Sequence, residues 1–324
     1  MTNATLSGLE LFAPLAADCE ALRLVMNASV PSQTAAVTPA EVQQDHRDQS
    51  ALRRKQWVPD PDGMPVTAHD ELIAGVPVRR YLPADGREPS GTLMWLHGGG
   101  WIFGDIDSAD PLARTACVET GFEIISVEYR LAPQHPFPAG VDDSLAVASA
   151  LLAEGRRLVI GGDSAGGNLA AVAARTFAGH PSLVGQVLVY PCTDPSLQTP
   201  SSLEFTEGPF ITRAGMQWCY THYLQGAAAD DPRVDLTDDV PTGLAPALVF
   251  TVGHDPLRDE GIAYARALSA AGVPTRHLHA PDQFHGAIGR SGVLPSAAVH
   301  ATEIWRSTVE LFGEFAAPIN GSVA

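Results

Sequence analysis

The chain has 324 residues, of which 45% are hydrophobic and 18% are charged, a composition typical of one large globular domain. Its formal net charge of −17 argues against nucleic acid or an anionic membrane surface as a partner. Lys55 is the only lysine, so a Schiff-base lysine or a phosphate-binding lysine has almost no candidate.

The first section of the chain favours two helices. Apolar residues recur at helical spacing over 9–26, and a more polar helical pattern covers about 40–55. The N-terminus lacks a basic region, so we expect no signal peptide, and no apolar run is long enough to predict a membrane span. We expect a cytoplasmic protein with reduced thiols, because the four cysteines form no Cys-x-x-Cys pair: Cys19, Cys117, Cys192 and Cys219.

Strand-like runs then alternate with helical patterns along the rest of the chain. The predicted strands cover 76–82, 92–97, 122–129, 157–162, 185–191, 247–253 and 275–280. The predicted helices between them cover roughly 108–120, 140–154, 165–178, 257–271 and 297–316. Most of the later strands are continuous apolar runs, as is typical of parallel strands covered on both faces. The alternation predicts an α/β fold with a mostly parallel, doubly wound sheet.

One long interval interrupts the alternation of strands and helices. Residues 196–245 hold an aromatic helical pattern over 211–224 and an acidic loop, and we interpret them as an excursion from the sheet. Together with the N-terminal helices they could cover the carboxyl edge of the strands, where open α/β sheets bind ligands. We therefore expect the following division: N-terminal cap helices 1–55, first part of the core 56–195, cap insertion 196–245, and second part of the core 246–324.

A Gly-x-Ser-x-Gly pentapeptide lies between a predicted strand and a predicted helix, at 162–166. A sharp turn in that position presents the hydroxyl of Ser164 above the sheet, with the helix N-terminus behind it. The flanking glycines fit because side chains there would collide with the strand and the helix. A serine hydroxyl is a poor nucleophile near neutral pH, so this interpretation requires a base and an orienting acid elsewhere.

Asp255 and His285 are the candidates for those two roles. Asp255 follows one apolar strand and His285 follows the last strand, so both are expected at the carboxyl edge, beside Ser164. The order Ser164, Asp255, His285 is the one that this strand–turn–helix arrangement predicts. Asp259 is a rival acid, but it falls one turn deeper into the following helix.

A glycine-rich loop supplies a third element of the predicted site. His97-Gly98-Gly99-Gly100-Trp101 leaves the end of an apolar strand, and successive glycines can turn backbone N–H groups into a cleft. The N–H of Ala165, directly after Ser164, is a further donor for an oxyanion.

These motifs resemble those of the bacterial hormone-sensitive-lipase-like esterases, a branch of the α/β-hydrolase fold. The resemblance runs from about residue 60 to the C-terminus and rests on six segments: HGGGW (97–101), YRLAPQHPFPA (129–139), GDSAGGNLA (162–170), YPCTD (190–194), GHDPLRDEG (253–261) and FHG (284–286). It implies a helical cap, a nucleophile at Ser164, an acid at Asp255 and a base at His285. It also implies oxyanion donors at Gly99, Gly100 and Ala165, with Gly98 left open as an alternative.

Aromatic residues in the lid and beside the glycine loop predict a closed, small pocket. The lid cluster comprises Phe205, Phe210, Trp218, Tyr220 and Tyr223. Of the candidate pocket residues we select four: Trp101, Phe103, Phe210 and Trp218. Rigid aromatic side chains of this kind favour short acyl chains over long ones.

The sequence thus predicts a serine carboxylesterase that acts on small esters of short acyl chains, without a cofactor or a metal. An amidase or lactonase with the same triad remains an alternative, and a homodimer is left open.

The glycine loop also mimics a dinucleotide fingerprint, but its spacing is one residue too long. A non-catalytic hormone-binding protein on this fold would lack a histidine at the position of His285. His277 and His279 could form a metal pair, although packing without a metal is the favoured interpretation.

Overall fold

A computed structural model describes residues 10–29, 38–208 and 210–313. Its nine α-helices in those ranges are α1 Ala17–Ser29, α2 Pro39–Gln56, α3 Ile106–Thr120, α4 Ala139–Ala153, α5 Ala165–Thr176, α6 Pro200–Glu204, α7 Arg213–Leu224, α8 Arg258–Ala270 and α9 Pro295–Phe312. The eight strands in the same ranges are β1 Val66–Ile73, β2 Val76–Pro83, β3 Thr92–Leu96, β4 Glu123–Val127, β5 Leu158–Asp163, β6 Leu183–Val189, β7 Ala247–His254 and β8 Thr275–Phe284.

All eight strands form one sheet in the order β1-β2-β4-β3-β5-β6-β7-β8. The pairs β1–β2 and β2–β4 are antiparallel, and every pair from β4 to β8 is parallel. This is the mostly parallel, doubly wound sheet that the alternating pattern predicted. The carboxyl ends of β3, β5, β7 and β8 consequently meet along one edge.

Both faces of the sheet are covered by helices, and the central strands divide their side chains between two cores. In β3, Met94 and Leu96 belong to the core with α4, α5 and α8, whereas Leu93 and Trp95 belong to the core with α3 and α9. Trp95 packs edge-on against Trp305 of α9, with ring centroids 5.6 Å apart. Burial on both faces explains why apolar residues occur on both faces of these strands instead of alternating with polar ones.

The structure differs from the predicted elements in three places. The N-terminal helix begins at Ala17 instead of residue 9, and Pro14 lies in the non-helical stretch before it. Strand β1 was not predicted, because it is an edge strand with polar and charged residues and without a clear alternation of apolar and polar positions. The short helix α6 within 196–245 was also missed. The predicted ends at residue 9 and residues 314–316 lie outside the described residues.

Helices α1, α2 and α7 lie beside the carboxyl edge of the sheet. Asp18 of α1 accepts a hydrogen bond from the Ser296 hydroxyl at 2.6 Å, and Gln43 of α2 donates to the Ile102 carbonyl at 2.7 Å. The ring of Tyr223 in α7 stacks on Trp101 beside the glycine loop, with centroids 4.4 Å apart. No helix within the described ranges is long and apolar enough to cross a membrane.

Candidate active site

Ser164 lies in a strained turn between β5 and α5. Its backbone has φ 57° and ψ −120°, in a region that non-glycine residues rarely adopt. The glycines around it are needed for close packing: a Cβ at Gly162 or Gly166 would overlap the carbonyl oxygen of Leu96 on the neighbouring strand. The turn therefore holds the Ser164 side chain above the sheet edge.

A continuous hydrogen-bonded chain joins the three predicted residues. Nε2 of His285 lies 2.9 Å from Oγ of Ser164, and Nδ1 of His285 lies 2.8 Å from Oδ2 of Asp255. The other carboxylate oxygen of Asp255 accepts the amide of Leu257 at 2.8 Å. Asp255 is fully buried and follows β7, while His285 follows β8. Such an arrangement can take the serine proton and hold the imidazole in one tautomer.

Asp259, the other candidate for the acid, forms structural contacts instead. Asp259 accepts the amide of Ser201 at 2.8 Å and pairs with Arg258, so it joins α8 to α6. His277 and His279 lie in strand β8, and both contact Oγ1 of Thr251 in the neighbouring strand β7 at 2.8 Å. The described residues contain no group of three His, Cys, Asp or Glu side chains that could hold a metal ion.

The glycine loop adopts backbone conformations that only its small residues permit. Gly99 and Gly100 have φ of 126° and 58°. Among the described residues, no protein acceptor is recorded for their amides or for the amide of Ala165. Gly98 differs: its amide donates to Oδ1 of Asp163 at 3.0 Å, so the prediction that left Gly98 open as an oxyanion donor is wrong in this conformation.

The pKa of the Asp163 carboxyl is raised at this site. Burial raises the pKa of its carboxyl to about 6, while the Gly98 amide and the nearby His285 act in the opposite direction. The carboxyl is thus a hydrogen-bond acceptor that ties the glycine loop to the turn holding Ser164.

A cavity of about 270 Å³ adjoins Ser164 and His285. Phe103 and Phe210, two of the four candidate pocket residues, line it. Trp101 and Trp218 do not, and both predictions need correction. Trp101 is buried and stacked on Tyr223, and Trp218 packs against the ring of His222 at 4.6 Å.

Sequence reasoning missed several residues at the site. Cys219 of α7 lines the cavity and lies directly over Gly100. Further lining residues from outside the motifs include His46, Arg53 and Arg290. Buried Glu260 accepts the amides of Thr193 and Asp194, and burial raises its pKa well above the ordinary value. A signal for Glu260 existed, since it lies in the GHDPLRDEG segment. The cavity residues carry no local pattern that could have indicated them.

The sheet topology and the turn at Ser164 define an α/β hydrolase. The family described as having the alpha/beta hydrolase fold matches residues 93–289. The carboxylesterase NlhH of Mycobacterium tuberculosis is 37% identical over 266 residues, which cover 76% of this chain and 83% of that protein. An ethyl acetate hydrolase of Pseudomonas putida is 36% identical over 236 residues, covering 68% of this chain and 74% of the relative.

Solved structures agree with these sequence relatives. A thermostable esterase from Pseudomonas putida superimposes with a TM-score of 0.83 at 29% identity, covering 92% of this chain and 98% of that one. An ester hydrolase from the metagenome of Lake Arreo gives a TM-score of 0.82 at 31% identity, with coverage of 92% and 99%. The chain therefore belongs to the hormone-sensitive-lipase-like carboxylesterases of the α/β-hydrolase fold.

Proposed function

We propose that this carboxylic ester hydrolase cleaves esters of short acyl chains through an acyl-enzyme on Ser164. The observation that carries the proposal is the unbroken hydrogen-bonded chain from Ser164 through His285 to Asp255, with distances of 2.9 and 2.8 Å. This geometry suits a nucleophile, a general base and an orienting acid.

In the proposed reaction, Oγ of Ser164 attacks the ester carbonyl carbon while Nε2 of His285 takes the hydroxyl proton. The oxygen of the tetrahedral intermediate accepts hydrogen bonds from the amides of Gly99, Gly100 and Ala165. His285 then gives its proton to the departing alkoxide, which leaves as the alcohol. Water repeats the sequence on the acyl-enzyme and releases the carboxylic acid, and Asp255 stabilises the imidazolium formed in each half-reaction.

Replacing Ser164 with alanine tests the proposed nucleophile. We expect Ser164→Ala to lower kcat on 4-nitrophenyl butyrate by about three orders of magnitude or more, because the acyl-enzyme cannot form. Ser196→Ala is the matched control, since Ser196 is exposed and lies outside the cavity lining. Hydrolysis by purified Ser164→Ala at close to the wild-type rate would overturn the assignment.

The size of the cavity supports the short-chain preference. At about 270 Å³ it falls just below the usual range of ligand pockets, about 300–1,000 Å³. Phe210 lies in its wall and is fixed by parallel stacking on Phe284, with ring centroids 3.8 Å apart. A rigid wall of this kind stops an acyl chain after a few carbons.

A series of 4-nitrophenyl esters measures this limit. We expect the highest kcat/KM for acyl chains of about two to six carbons, because longer chains exceed the volume of the cavity. Phe210→Ala should move the optimum to longer chains, whereas Phe205→Ala should not, since Phe205 packs near His254 outside the cavity. An optimum at about twelve carbons or more would contradict the closed pocket. An anilide and a lactone in the same series test the alternative substrates.

We also propose that residues 1–55 and 196–245 form the cap over this site. Support comes from the cavity lining, to which α1 contributes Met26, α2 contributes His46, and α7 contributes Cys219. The core would then comprise residues 56–195 and 246–324.

A further inference from the structure

Two arginines line the cavity beside Ser164 without a carboxylate partner. Arg53 comes from α2, and Arg290 comes from the segment that follows His285. Neither forms an ion pair with any described residue, although other arginines in the fold do, such as Arg130 with Asp143. In a chain with 37 acidic residues and only 20 basic ones, carboxylates are plentiful, so two unpaired guanidinium groups in one cavity require a reason.

Arg290 is held close to the proposed base. Its Nη1 donates to the carbonyl oxygen of Gly286, the residue after His285, at 3.0 Å. Its guanidinium also lies 5.7 Å from the ring centroid of Phe284, and the ring of Phe284 stacks on Phe210. The charged group is thus fixed next to the wall of the cavity.

Both arginines keep most of their hydrogen-bonding capacity. A guanidinium group has five N–H donors. Arg53 spends one on the Ser50 hydroxyl at 2.7 Å, and Arg290 spends one on the Gly286 carbonyl. The remaining donors are available to planar, anionic oxygen atoms, which arginine binds in a bidentate manner.

The charges around the cavity favour an anion. Burial, followed by repulsion from Arg290, lowers the pKa of Arg53 to about 10, and the Asp45 carboxylate acts in the opposite direction, so Arg53 remains cationic at neutral pH. Burial also lowers the pKa of Arg290, but an arginine side chain stays protonated in proteins. Burial, with contributions from Arg53, His97 and Arg290, lowers the pKa of His46 to about 4, which leaves that ring neutral. Asp163 is the one carboxyl among the described lining residues, and its Oδ1 already accepts the Gly98 amide.

We propose that Arg53 and Arg290 bind a carboxylate carried by the substrate, so that the preferred substrates are short esters that also bear a carboxylate group. The proposal rests on the function proposed above and specifies its substrate class. The two guanidinium groups would hold the carboxylate while the ester carbonyl lies at Ser164, and a neutral ester of the same length would leave both cations without a counter-charge.

Matched pairs of esters test the preference. Monoethyl glutarate and ethyl pentanoate share a five-carbon acyl chain and differ in the terminal carboxylate, and 3-acetoxypropanoate with propyl acetate places the carboxylate on the alcohol side instead. We expect kcat/KM for the anionic member of at least one pair to exceed that of its neutral partner by about tenfold or more. The pair that shows the effect identifies the side on which the arginines act. A preference for the neutral ester in both pairs overturns the proposal.

Three substitutions separate this effect from a general loss of activity. Arg53→Gln and Arg290→Gln should each reduce the anionic-to-neutral ratio of kcat/KM by about tenfold, whereas Arg290→Lys should retain part of it. Arg47→Gln is the matched control on α2, because Arg47 is exposed, lies outside this cavity and should not change the ratio. Equal losses on both esters would show that the arginines are structural and would refute the proposal.

A binding measurement separates failure of this proposal from failure of the proposed function. Ser164→Ala protein does not consume the ester, so calorimetry can compare the Kd of monoethyl glutarate with that of ethyl pentanoate, and likewise for the second pair. We expect tighter binding of the anionic ester, by about tenfold, and loss of this difference in the Ser164→Ala/Arg53→Gln double variant. If the wild-type protein hydrolyses no ester, the proposed function is wrong, but the comparison of Kd values still tests the carboxylate site. Equal Kd values for the anionic and neutral esters would reject that site.

Discussion

Asp163 links the glycine loop to the nucleophile turn through a carboxyl group that is costly to ionise. Its Oδ1 accepts the amide of Gly98, and burial raises its pKa to about 6. In the unfolded chain this carboxyl would ionise near pH 4. Between about pH 4 and about pH 6 the carboxyl is therefore protonated in the folded state but ionised in the unfolded state. The free energy of unfolding falls as pH rises through this range.

The substitution Asp163→Asn tests this coupling because it keeps an oxygen acceptor for Gly98 and removes the ionisable group. The free energy of unfolding of Asp163→Asn, relative to wild type, should rise by about 1 kcal/mol between pH 5 and pH 8. Urea unfolding at the two pH values measures the difference. The exposed Asp239→Asn serves as the control, with no comparable change expected. A pH-independent difference for Asp163→Asn would contradict the raised pKa.

The meeting of three residues at one sheet edge could be predicted from the sequence, whereas the orientation of a single side chain could not. Ser164, Asp255 and His285 each follow a recognisable strand, so their meeting at one sheet edge could be predicted. The orientation of Trp101 depends on Tyr223 of α7, more than a hundred positions away. The sequence contains no signal for that contact, and it led to a wrong prediction of the pocket wall.

The contact of β5 and α5 with β3 determines where the nucleophile lies. Helix α5 approaches β3 so closely that a Cβ at Gly166 would overlap the carbonyl oxygens of Leu96 and His97. These are backbone atoms at the start of the glycine loop, so they cannot move without displacing the proposed oxyanion donors. The nucleophile and the donors are consequently positioned by the same contact.

Gly166→Ala should separate α5 from β3. We expect a loss of about 1–3 kcal/mol in the free energy of unfolding, together with a decrease in kcat, because the extra carbon forces backbone shifts at the site. Gly63→Ala is the control, since no atom lies within 4 Å of the corresponding Cβ position. Urea unfolding and ester turnover are measured on both variants. Unchanged stability in Gly166→Ala would mean that the two elements pack less tightly than described.

How easily a strand or helix could be predicted from the sequence depends on how much of it is buried. Central strands such as β4 and β7 are buried on both faces and are therefore mostly apolar, which made them easy to identify. Strand β1 lies at the sheet edge with half of its residues exposed, and its sequence, VTAHDELI, lacks a clear period of two. Elements without a buried face leave little pattern in the sequence.

At the scale of the whole molecule, acidic residues outnumber basic ones by 37 to 20. Many of the arginines are already paired locally, as in the ion pairs Arg79–Asp70, Arg233–Asp231 and Arg276–Glu310. The surplus carboxylates remain spread over the surface, where they repel each other over a distance set by the ionic strength. Compact folding brings these charges together, so self-repulsion lowers the stability of the native state.

Salt should therefore stabilise this protein at neutral pH. Raising sodium chloride from about 0.01 M to about 0.1 M shortens the screening length from about 30 Å to about 10 Å, which weakens long-range repulsion most. The same salt also weakens surface ion pairs, but each contributes only about 0–1 kcal/mol and acts at short range. We expect a net gain of roughly 1 kcal/mol, or a rise in Tm of about 1.5 °C for a chain of this length. Thermal unfolding followed by circular dichroism measures it, and a decrease in Tm would show that the local ion pairs outweigh the repulsion of the surplus charge.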